Sequence, residues 1–558
     1  MVSAKDKNNV FYGILAIFAD EMTFADFIRA HEGDDPVRLL LARDRYPGVD
    51  VALAASTLAC RRRLRTKVPA WYAVPSLRFP NRLAAEQCSS AETARYKAAV
   101  AARVVSASAV AGARGGQNGA LLPVTEAELS RGGQNGALLP AAEAELSRGG
   151  QNGALLPATE AELSRGGQNG AYLPATEAEL SRGGQNGALL PATTAPRARL
   201  ADLTGGLGVD SWAFAEVFGE VLYNEMQPAL AAAAEENFKE LGVKNIRVVN
   251  WRITPATVTD VSASRSGTAS PADGDSGAGP GGSVADVLGD FGPDILFLDP
   301  ARRAGDGRKV FLPEDCQPDV TALLPELFAA ARHVLLKLSP MADISLCVKR
   351  FGHVREVHAI AAEGECKELL LLLDREWNGG YTITAYENGS TLTWSPEEES
   401  AAAVQFASDE DLTPGHSSGA ALPSAASFPA PPSSPAGFLF EPGKALMKAG
   451  AFRLLCGCFG LKKLDTHTHL YVTEAVPAEL APLGKTFRIL ETLPLDKRTM
   501  KEAGRRYPRA EVTARNIPMT SNELRKRLGC GSGGDIHLFG VRTAAAGNVL
   551  LIGRGIVK

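Results

Sequence analysis

A glycine-rich turn between two acidic residues is the part of this chain best suited to bind a ligand. Asp202 closes a short apolar run, Gly206-Leu207-Gly208 forms the turn, and Glu225 ends the next apolar run. Glycines in such a turn let ligand atoms approach the backbone at the start of the following helix. A carboxylate at the tip of the second strand can accept hydrogen bonds from both hydroxyls of a ribose. We therefore expect a ligand that contains a ribose.

The residues after the turn argue against a dinucleotide. A dinucleotide loop spells G-x-G-x-x-G, which brings a pyrophosphate onto the helix dipole. Here Gly208 is followed by Val209, Asp210 and Ser211, and an acid at this position does not suit a diphosphate. The pattern D-x-x-x-G-x-G with an acid about 20 residues further on instead resembles the cofactor loop of class I S-adenosylmethionine methyltransferases. The alternative is that the glycines only serve the geometry of the turn.

Strand ends further along the chain carry more polar residues. The apolar runs 294–299 and 333–339 read as buried strands, and strands that alternate with helix-length segments predict a parallel sheet. Ligands of such sheets bind at the carboxyl ends of the strands. Five candidate residues fall at predicted carboxyl ends: Asp202, Glu225, Asn250, Asp299 and Ser339. Alternatively, Pro300 only ends its strand and Asp299 caps the following turn.

The sequence Asp299-Pro-Ala-Arg302 resembles the catalytic loop of enzymes that methylate nucleobases. In the N-methylating enzymes, an acidic or amide side chain accepts hydrogen bonds from an exocyclic amine and aims its lone pair at the methyl donor, so that positioning supplies most of the catalysis. Lys337 pairs with Asp299, contacts a phosphate, or extends its amine to solvent. The candidate catalytic residues are Asp299, Pro300, Arg302 and Lys337.

The same four-residue motif occurs in uracil-C5 methyltransferases, which attack the base with a cysteine just after strand 5. The corresponding turn here reads Lys337-Leu-Ser-Pro340 and contains no thiol. Covalent C5 chemistry would therefore need Cys316 or Cys366 to reach the site from elsewhere. N-methylation of a base is the expected chemistry.

Composition indicates several domains with a full core, because the chain has 558 residues of which 45% are apolar. Its 8 cysteines are scattered without a C-x-x-C pair, which favours a reducing cytoplasm and argues against a zinc ribbon. The longest apolar run near the start, 10–19, is too short to span a membrane. We expect a cytoplasmic protein with no metal and no membrane partner.

Charge is distributed unevenly along the chain. The net charge is −4, yet residues 441–558 contain 20 Lys and Arg against 10 Asp and Glu, a net charge of +10. A basic C-terminal block that follows an acidic middle indicates a polyanionic partner. The alternative is ordinary solvated surface charge.

Repeats and low-complexity inserts interrupt the sequence. Five near-identical 17-residue units begin at Arg114, Arg131, Arg148, Arg165 and Arg182. Each unit has few Leu anchors between Gly-Gly and Pro, so we expect residues 106–196 to form a disordered insertion. The segments 262–283 and 399–437 look similar and are also expected to be disordered.

Four blocks remain once the inserts are set aside. Residues 1–105 show helical periodicity, with a helix start at Asp35-Pro36. Residues 197–376 form the α/β block, and residues 377–480 open with a predicted hairpin around Asn388-Gly389. Residues 484–558 mix strands with a helix over 521–528.

Taken together, the chain resembles a bacterial family of class I methyltransferases with a helical N-terminal part, a ferredoxin-like domain after the catalytic domain and a C-terminal THUMP-like domain. The resemblance covers nearly all of the chain outside the inserts. Its motifs lie at 86–90, 94–97, 202–210, 299–303, 337–340, 365–369, 438–451 and 522–528. It implies an α/β fold with a Rossmann-like, class I methyltransferase domain at 197–376, a ferredoxin-like α+β domain at 377–480 and a THUMP-like domain at 484–558. The cofactor it implies is S-adenosyl-L-methionine, with candidate binding residues Asp202, Thr204, Gly205, Gly206, Gly208, Glu225 and Asn250.

THUMP domains in related enzymes present RNA to the catalytic domain. The resemblance therefore implies an RNA substrate, tRNA or rRNA, with candidate RNA-binding residues Arg525, Lys526 and Arg527. One alternative is an RNA-binding protein whose methyltransferase domain is inactive, and another is a methyltransferase for a small molecule or a protein. Asn250-Trp251 favours the first alternative, because class I enzymes often place a carboxylate there for the adenine amine. The Asn250 carbonyl could still accept from that amine, while Trp251 could stack on adenine or fill the core.

Overall fold

A computed structural model of the protein describes residues 22–114, 195–255, 279–302, 316–413 and 437–556. The 17-residue repeats after Arg114 lie outside the described residues, as do 256–278 and 414–436 within the two other predicted inserts. Across the described ranges, none of the helices is both long and apolar enough to cross a membrane.

Six α-helices lie in the described residues before the first strand. They are α1 (Phe24–Ala30), α2 (Pro36–Leu41), α3 (Val51–Lys67), α4 (Pro69–Tyr72), α5 (Arg82–Gln87) and α6 (Ala91–Arg114). Helix α2 starts as predicted, because the Asp35 carboxylate accepts the Val37 N–H at 3.0 Å and Pro36 occupies the first helical position. In α3, Leu58 and Leu64 are buried.

Nine strands form the large sheet, in the order β13-β12-β10-β11-β9-β6-β1-β2-β3. Their bounds are β1 (Ala195–Asp202), β2 (Phe218–Asn224), β3 (Ile246–Val249), β6 (Ile295–Leu298), β9 (His333–Leu338), β10 (Val354–Ala362), β11 (Glu365–Asp374), β12 (Thr382–Glu387) and β13 (Ser390–Trp394). Strands β3, β2, β1, β6 and β9 are parallel, and β11 runs antiparallel between β9 and β10. The predicted parallel sheet is confirmed, and the antiparallel pair β10–β11 closes it.

Two short two-stranded pairs and five helices accompany this sheet. The pairs are β4 (Arg252–Ile253) with β5 (Gly281–Gly282) and β7 (Ala301–Arg302) with β8 (Cys316–Gln317). The helices are α7 (Val209–Ala215), α8 (Pro228–Glu240), α9 (Val284–Leu288), α10 (Val320–Ala330) and α11 (Ile344–Phe351).

The helical N-terminal part packs on one face of the large sheet. Tyr96 and Val100 of α6 share a buried apolar cluster with Phe297 of β6 and Leu335 of β9. The Tyr96 hydroxyl lies 2.8 Å from Nδ1 of His358 on β10. The helical part and the sheet therefore share one core.

The hairpin predicted around Asn388-Gly389 is present, but it extends the large sheet. Glu387 pairs with Ser390, and both turn residues have positive φ (53° and 76°), as a tight hairpin turn requires. Strand β12 runs parallel to β10 and is hydrogen-bonded to it. The sequence analysis grouped this hairpin with residues 377–480 because alternation along a strand does not reveal which neighbour the strand pairs with.

A second sheet of seven strands occupies the C-terminal part, in the order β15-β16-β14-β17-β20-β19-β18. Its strands are β14 (Phe438–Pro442), β15 (Lys462–Asp465), β16 (Thr468–Thr473), β17 (Gly484–Pro494), β18 (Glu511–Arg515), β19 (Ile536–Thr543) and β20 (Gly547–Gly555). The helices after β13 are α12 (Pro396–Ala401), α13 (Asp409–Leu412), α14 (Lys444–Ala449), α15 (Leu454–Gly457), α16 (Lys497–Arg506) and α17 (Ser521–Leu528). Because β14 pairs with β17, residues 437–480 and 484–556 form one continuous sheet.

Parts of all three predicted disordered inserts are folded, which corrects that prediction. In the segment 106–196, residues 106–114 continue helix α6 and Ala195 begins β1. In the segment 399–437, the Glu399 carboxylate accepts backbone N–H groups from Phe452 (3.0 Å), Arg453 (2.7 Å) and Leu454 (2.8 Å), and Leu412 is buried. In the segment 262–283, the Gly-Gly pair of β5 bonds to β4. Composition alone missed these contacts because their partners are distant in the sequence.

Glu399 holds the start of α15, so its loss should destabilise the C-terminal part. Glu399→Ala leaves three backbone N–H groups without their acceptor, and we expect the free energy of unfolding to fall by about 1–3 kcal/mol. Urea denaturation measures the change. Glu397→Ala, on the exposed side of the same helix, is the matched control and should have almost no effect. Equal effects of the two substitutions would contradict this assignment.

Candidate functional site

The predicted site residues meet at the carboxyl edge of the large sheet. Asp202 is the last residue of β1, and Glu225, Asn250 and Asp299 directly follow β2, β3 and β6. Because these strands are parallel and adjacent, their ends lie side by side. The structure therefore brings these residues to one edge of the sheet, as the sequence predicted.

The glycine-rich turn approaches β2 more closely than any side chain would allow. A Cβ at position 205 would lie 2.1 Å from the Tyr223 ring, and one at 208 would lie 2.7 Å from the Phe238 ring. Gly206 and Gly208 have φ of 54° and 91°, in the left-handed region that favours glycine. The three glycines are thus required by the turn itself, and their contact with a cofactor stays a prediction.

Glu225 connects the glycine turn to the end of β2. Its Oε2 accepts the N–H of Gly206 at 2.9 Å, and its Oε1 accepts the N–H of Gln227 at 2.8 Å. Burial raises the pKa of this carboxyl group, while the two backbone hydrogen bonds act in the opposite direction. Each carboxylate oxygen keeps a second lone pair, so both can still accept from ligand hydroxyls.

Asn250 holds the backbone of Glu225 in place. Its amide nitrogen donates to the Glu225 carbonyl oxygen at 2.5 Å, and its Oδ1 lies beside Gly279, where a Cβ would come within 2.8 Å. Trp251 lies against Gly282 and packs on the core of the sheet. These contacts favour the core-filling role for Trp251, whereas Asn250 keeps an acceptor oxygen next to the site.

Asp202 is buried beneath the glycine turn. Its Oδ2 accepts the Ser211 hydroxyl at 2.6 Å, and its Oδ1 accepts the Thr204 N–H at 3.1 Å. Burial raises the pKa of this carboxyl group to about 7, and the two hydrogen bonds only partly offset that effect. Asp202 therefore changes charge near neutral pH.

Asp299 and Lys337 form an ion pair at the tips of β6 and β9. Lys337 Nζ lies 2.5 Å from Asp299 Oδ2 and 3.5 Å from an oxygen of Glu368 on β11. Burial lowers the pKa of Lys337, but the carboxylates of Asp299, Glu368 and Asp210 outweigh it and the pKa is raised. Lys337 is thus a buried cation. Of the three contacts that the sequence allowed for it, the structure shows the ion pair with Asp299.

The Asp299 side chain remains accessible although its surroundings are buried. It is 37% exposed, and among the described residues Oδ1 has no hydrogen-bond partner. Desolvation raises its pKa against the opposing effect of Lys337. The Asp299 N–H donates to the Thr204 hydroxyl at 2.6 Å, which ties this strand end to the glycine turn.

Pro300 is buried, and Arg302 lies in the short strand β7, where it pairs with Cys316. Their catalytic roles stay predictions.

Sequence reasoning missed a lysine from the helical N-terminal part. Lys97 on α6 is fully buried, and its Nζ lies 3.0 Å from Asp210, 2.7 Å from Glu368 and 2.7 Å from the Ser89 hydroxyl. Burial raises the pKa of Asp210, but Lys97 and Lys337 outweigh it and the pKa is lowered. The available signal was a single lysine in the alanine-rich run of α6, which helical periodicity alone does not single out.

The cysteines near the site do not favour a thiolate nucleophile. Burial raises the pKa of Cys366 and of Cys88 to about 11 in each case. Cys316 is buried in β8. Because the thiolate is the reactive form, these raised values argue against the covalent C5 alternative.

The three basic residues predicted to bind RNA lie on α17, but they differ. Arg525 donates to Glu511 at 3.1 Å and to the Ser532 hydroxyl at 2.5 Å, so it is engaged within its own domain. Lys526 and Arg527 are exposed. An RNA contact stays a prediction for all three residues, although Arg525 is also held by Glu511 and Ser532.

A cavity of about 930 Å³ opens between the large sheet and the C-terminal part. It is bordered by the ends of β10 and β12 and by β14 and β17, and its basic and aromatic lining residues are Lys444, Lys485, Arg515, His467, His469, Phe438 and Phe487. Lys444 and Lys485 are exposed, whereas Arg515 pairs with Glu441 at 3.3 Å. Strands β10 and β12 are parallel to β9, so the cavity lies on the same edge of the sheet as Asp299.

Comparisons with known proteins agree with this architecture. Residues 438–480 match the model of a family described as a ferredoxin-like domain, and residues 484–554 match one described as THUMP domain-like. No curated protein sequence matches the chain. The solved structure of an inferred methyltransferase from Porphyromonas gingivalis W83 is similar over 96% of this chain and 98% of its own, with 24% identity and a TM-score of 0.61.

Other similarities cover about a third of the chain. A 16S rRNA N2 G1207 methyltransferase from T. thermophilus has 14% identity over 33% of this chain and 39% of its own, with a TM-score of 0.22. An rRNA methylase from Streptococcus thermophilus has 11% identity over 32% of this chain and 89% of its own, with a TM-score of 0.21. The chain has the class I methyltransferase fold, followed by a ferredoxin-like and a THUMP-like domain.

The raised pKa of Asp202 makes a testable contribution to stability. Because the folded-state pKa lies above the unfolded value, the unfolded state loses its proton first as pH rises. The contribution of Asp202 to stability should therefore fall between about pH 4 and pH 7 and then stay constant. Melting temperatures of the parent and of Asp202→Asn, compared from pH 4.5 to pH 8.5, should diverge over this range in favour of the variant. A difference that does not depend on pH would contradict the prediction.

Proposed function

We propose that this protein is an S-adenosyl-L-methionine-dependent methyltransferase that N-methylates a base of an RNA. The observation that carries the proposal is the pair Asp299–Lys337 beside a glycine turn held by Glu225. The class I fold gives the context for this site, and the basic C-terminal block supplies the reason to expect RNA.

The charge of the site suits this cofactor. Among the residues that the structure describes at this edge, the carboxyl groups outnumber the buried lysines Lys97 and Lys337 even when Asp202 is left out, since Asp210, Glu225, Asp299 and Glu368 remain. S-adenosyl-L-methionine carries a sulfonium and an ammonium group against a single carboxylate, so an acidic site stabilises it. Glu225 would accept its ribose hydroxyls, and Asn250 Oδ1 would accept its adenine amine. Asp202 and the glycine turn would lie along its methionine part.

The chemistry that the cofactor supplies when bound is an electrophilic methyl group. Asp299 Oδ1 would accept an N–H of the exocyclic amine and orient the nitrogen lone pair. When the new N–C bond forms, the nitrogen loses this proton to Asp299 Oδ1. Lys337 keeps Asp299 ionised and in place, because its Nζ lies on the other oxygen.

RNA would reach this site along the carboxyl edge from the cavity. Lys444 and Lys485 offer two exposed cations, and Phe438, which is only partly buried, offers a ring on which a base can stack. The distance from β6, which Asp299 follows, to β12 is four strand spacings, roughly 19 Å. Nucleotides held in the cavity could therefore be continuous with a base placed at Asp299.

Removing the Asp299 carboxylate tests the catalytic assignment. Asp299→Ala removes the group that orients the amine and accepts its proton, so turnover should fall on the order of 10²–10⁴-fold. Methyl transfer from labelled S-adenosyl-L-methionine to bulk tRNA and rRNA measures turnover, and calorimetry should show cofactor affinity close to that of the parent. Asp294→Asn, at the opposite end of β6, is the control.

The outcomes of this assay distinguish the alternatives. A parent protein that binds RNA but not the cofactor would support an RNA-binding protein with an inactive domain. Transfer of label to protein or to small molecules, without RNA, would support the third alternative. Mass spectrometry of nucleosides from a deletion strain, compared with its parent strain, identifies the modified base.

Two double variants test the route of RNA. Lys444→Ala/Lys485→Ala removes the exposed cations of the cavity, and Lys526→Ala/Arg527→Ala removes those of α17. Each should weaken RNA binding and reduce the slope of log affinity against log salt by roughly 1.5, because fewer counterions are released. Filter binding across a salt series measures both quantities. Arg63→Ala/Arg65→Ala, exposed on α3, is the control. Binding equal to that of the parent at every salt concentration would exclude the surface concerned.

A further inference from the structure

Six polar residues form a continuous network between the helical N-terminal part and the tip of β6. In chain order they are Ser89, Lys97, Asp210, Asp299, Lys337 and Glu368. We call them the internal charge network. Three sequence motifs that had no assigned role each contribute one member. They are 86–90 with Ser89, 94–97 with Lys97 and 365–369 with Glu368.

Glu368 is the centre of this network. One of its oxygens lies 2.7 Å from Lys97 Nζ, and the other lies 3.5 Å from Lys337 Nζ. Lys97 also forms an ion pair with Asp210 at the start of α7, next to the glycine turn. Lys337 forms the corresponding ion pair with Asp299. One carboxylate therefore joins the cofactor side of the site to the substrate side.

Stability alone does not account for such a network. Burying charges is costly, and apolar residues of similar volume often stabilise a protein as well or better. Lys97 is fully buried and Glu368 is almost so, although both lie among apolar neighbours of α6 and β11. A positioning role explains why charge is placed here.

The group that this network positions is the Asp299 carboxylate. Asp299 follows the end of β6 and is 37% exposed, so its strand does not fix its carboxylate. Lys337 lies on the fully buried strand β9, and its ammonium group has three hydrogens to donate. With Glu368 holding one side of that ammonium group, Lys337 holds Asp299 Oδ2 at a fixed place and leaves Oδ1 toward the substrate.

We infer that Glu368 and Lys97 are positioning residues, which hold the Asp299 carboxylate for the reaction through Lys337. The helical N-terminal part thereby completes the active centre by supplying Lys97 and Ser89. This inference rests on the proposed function for its effect on turnover, whereas its effect on the position of Asp299 is independent of it.

Glu368→Gln tests the inference with a nearly isosteric change. Turnover should fall on the order of 10²-fold, because displacement of a catalytic group by about 1 Å has an effect of this size. The KM for RNA and the Kd for S-adenosyl-L-methionine should stay within about twofold of the parent, since Glu368 contacts neither ligand. Glu365→Gln is the matched control, because Glu365 lies on the same strand with its side chain 75% exposed. An active parent whose kcat is unchanged by Glu368→Gln would overturn the inference.

A charge-balanced variant covers the case in which Glu368→Gln does not fold. Lys97→Met/Glu368→Gln removes one cation and one anion together, so no additional net charge is left in the interior. Its kcat per folded molecule should fall as in the single variant. A kcat equal to that of the parent would show that the pair is only structural and would overturn the inference.

Hydrogen exchange of the Asp299 amide tests the same positioning role without a measurement of catalysis. The Asp299 amide donates to Thr204, so its exchange should become faster in Glu368→Gln and in the charge-balanced variant, but not in Glu365→Gln. A parent that transfers no methyl group would refute the proposed function, and exchange would still decide the inference. Unchanged exchange in the Glu368 variants would overturn it, even if kcat fell.

Discussion

The ammonium groups of Lys97 and Lys337 lie on either side of the Glu368 carboxylate, inside the protein. This contact links the helical N-terminal part, the helix that follows the glycine turn, and the end of β6. Each lysine also reaches an aspartate, Asp210 or Asp299, so loss of either lysine leaves a carboxylate without its partner in a desolvated place. The shared apolar core of α6 and the sheet brings these charges together, and the charges in turn fix the register of α6 on the sheet.

This arrangement also explains how the two halves of the site are connected. Thr204 accepts the Asp299 N–H, and Asp202 lies under the same turn with a pKa of about 7. Two hydrogen bonds, both made by Thr204, therefore connect the carboxyl group of Asp202, whose charge changes, to the amide of Asp299. The glycines set the shape of the turn, while Asp202, Thr204 and Glu225 supply the polar contacts around it.

Local patterns predicted the fold and the edge of the site, and they failed where the partner is distant in the sequence. Apolar runs with a polar residue at the end placed Asp202, Glu225 and Asp299 correctly, because parallel strands bring their carboxyl ends together. Periodicity could not identify Lys97 as a partner of Glu368, since their contact joins residues 271 positions apart. The same limit applies to Glu399, whose three backbone donors lie more than 50 residues away.

The continuous C-terminal sheet gives the basic block a fixed relation to the site. Strand β14 pairs with β17, and α14 between β14 and β15 packs on β10, β11 and β12, so the C-terminal part is held against the far side of the large sheet. Lys448 of α14 donates to the Ala342 carbonyl at 2.6 Å, close to the end of β9. The cavity therefore keeps a set distance from Asp299. A ligand that spans both must be extended, which is the form that we propose for the RNA segment.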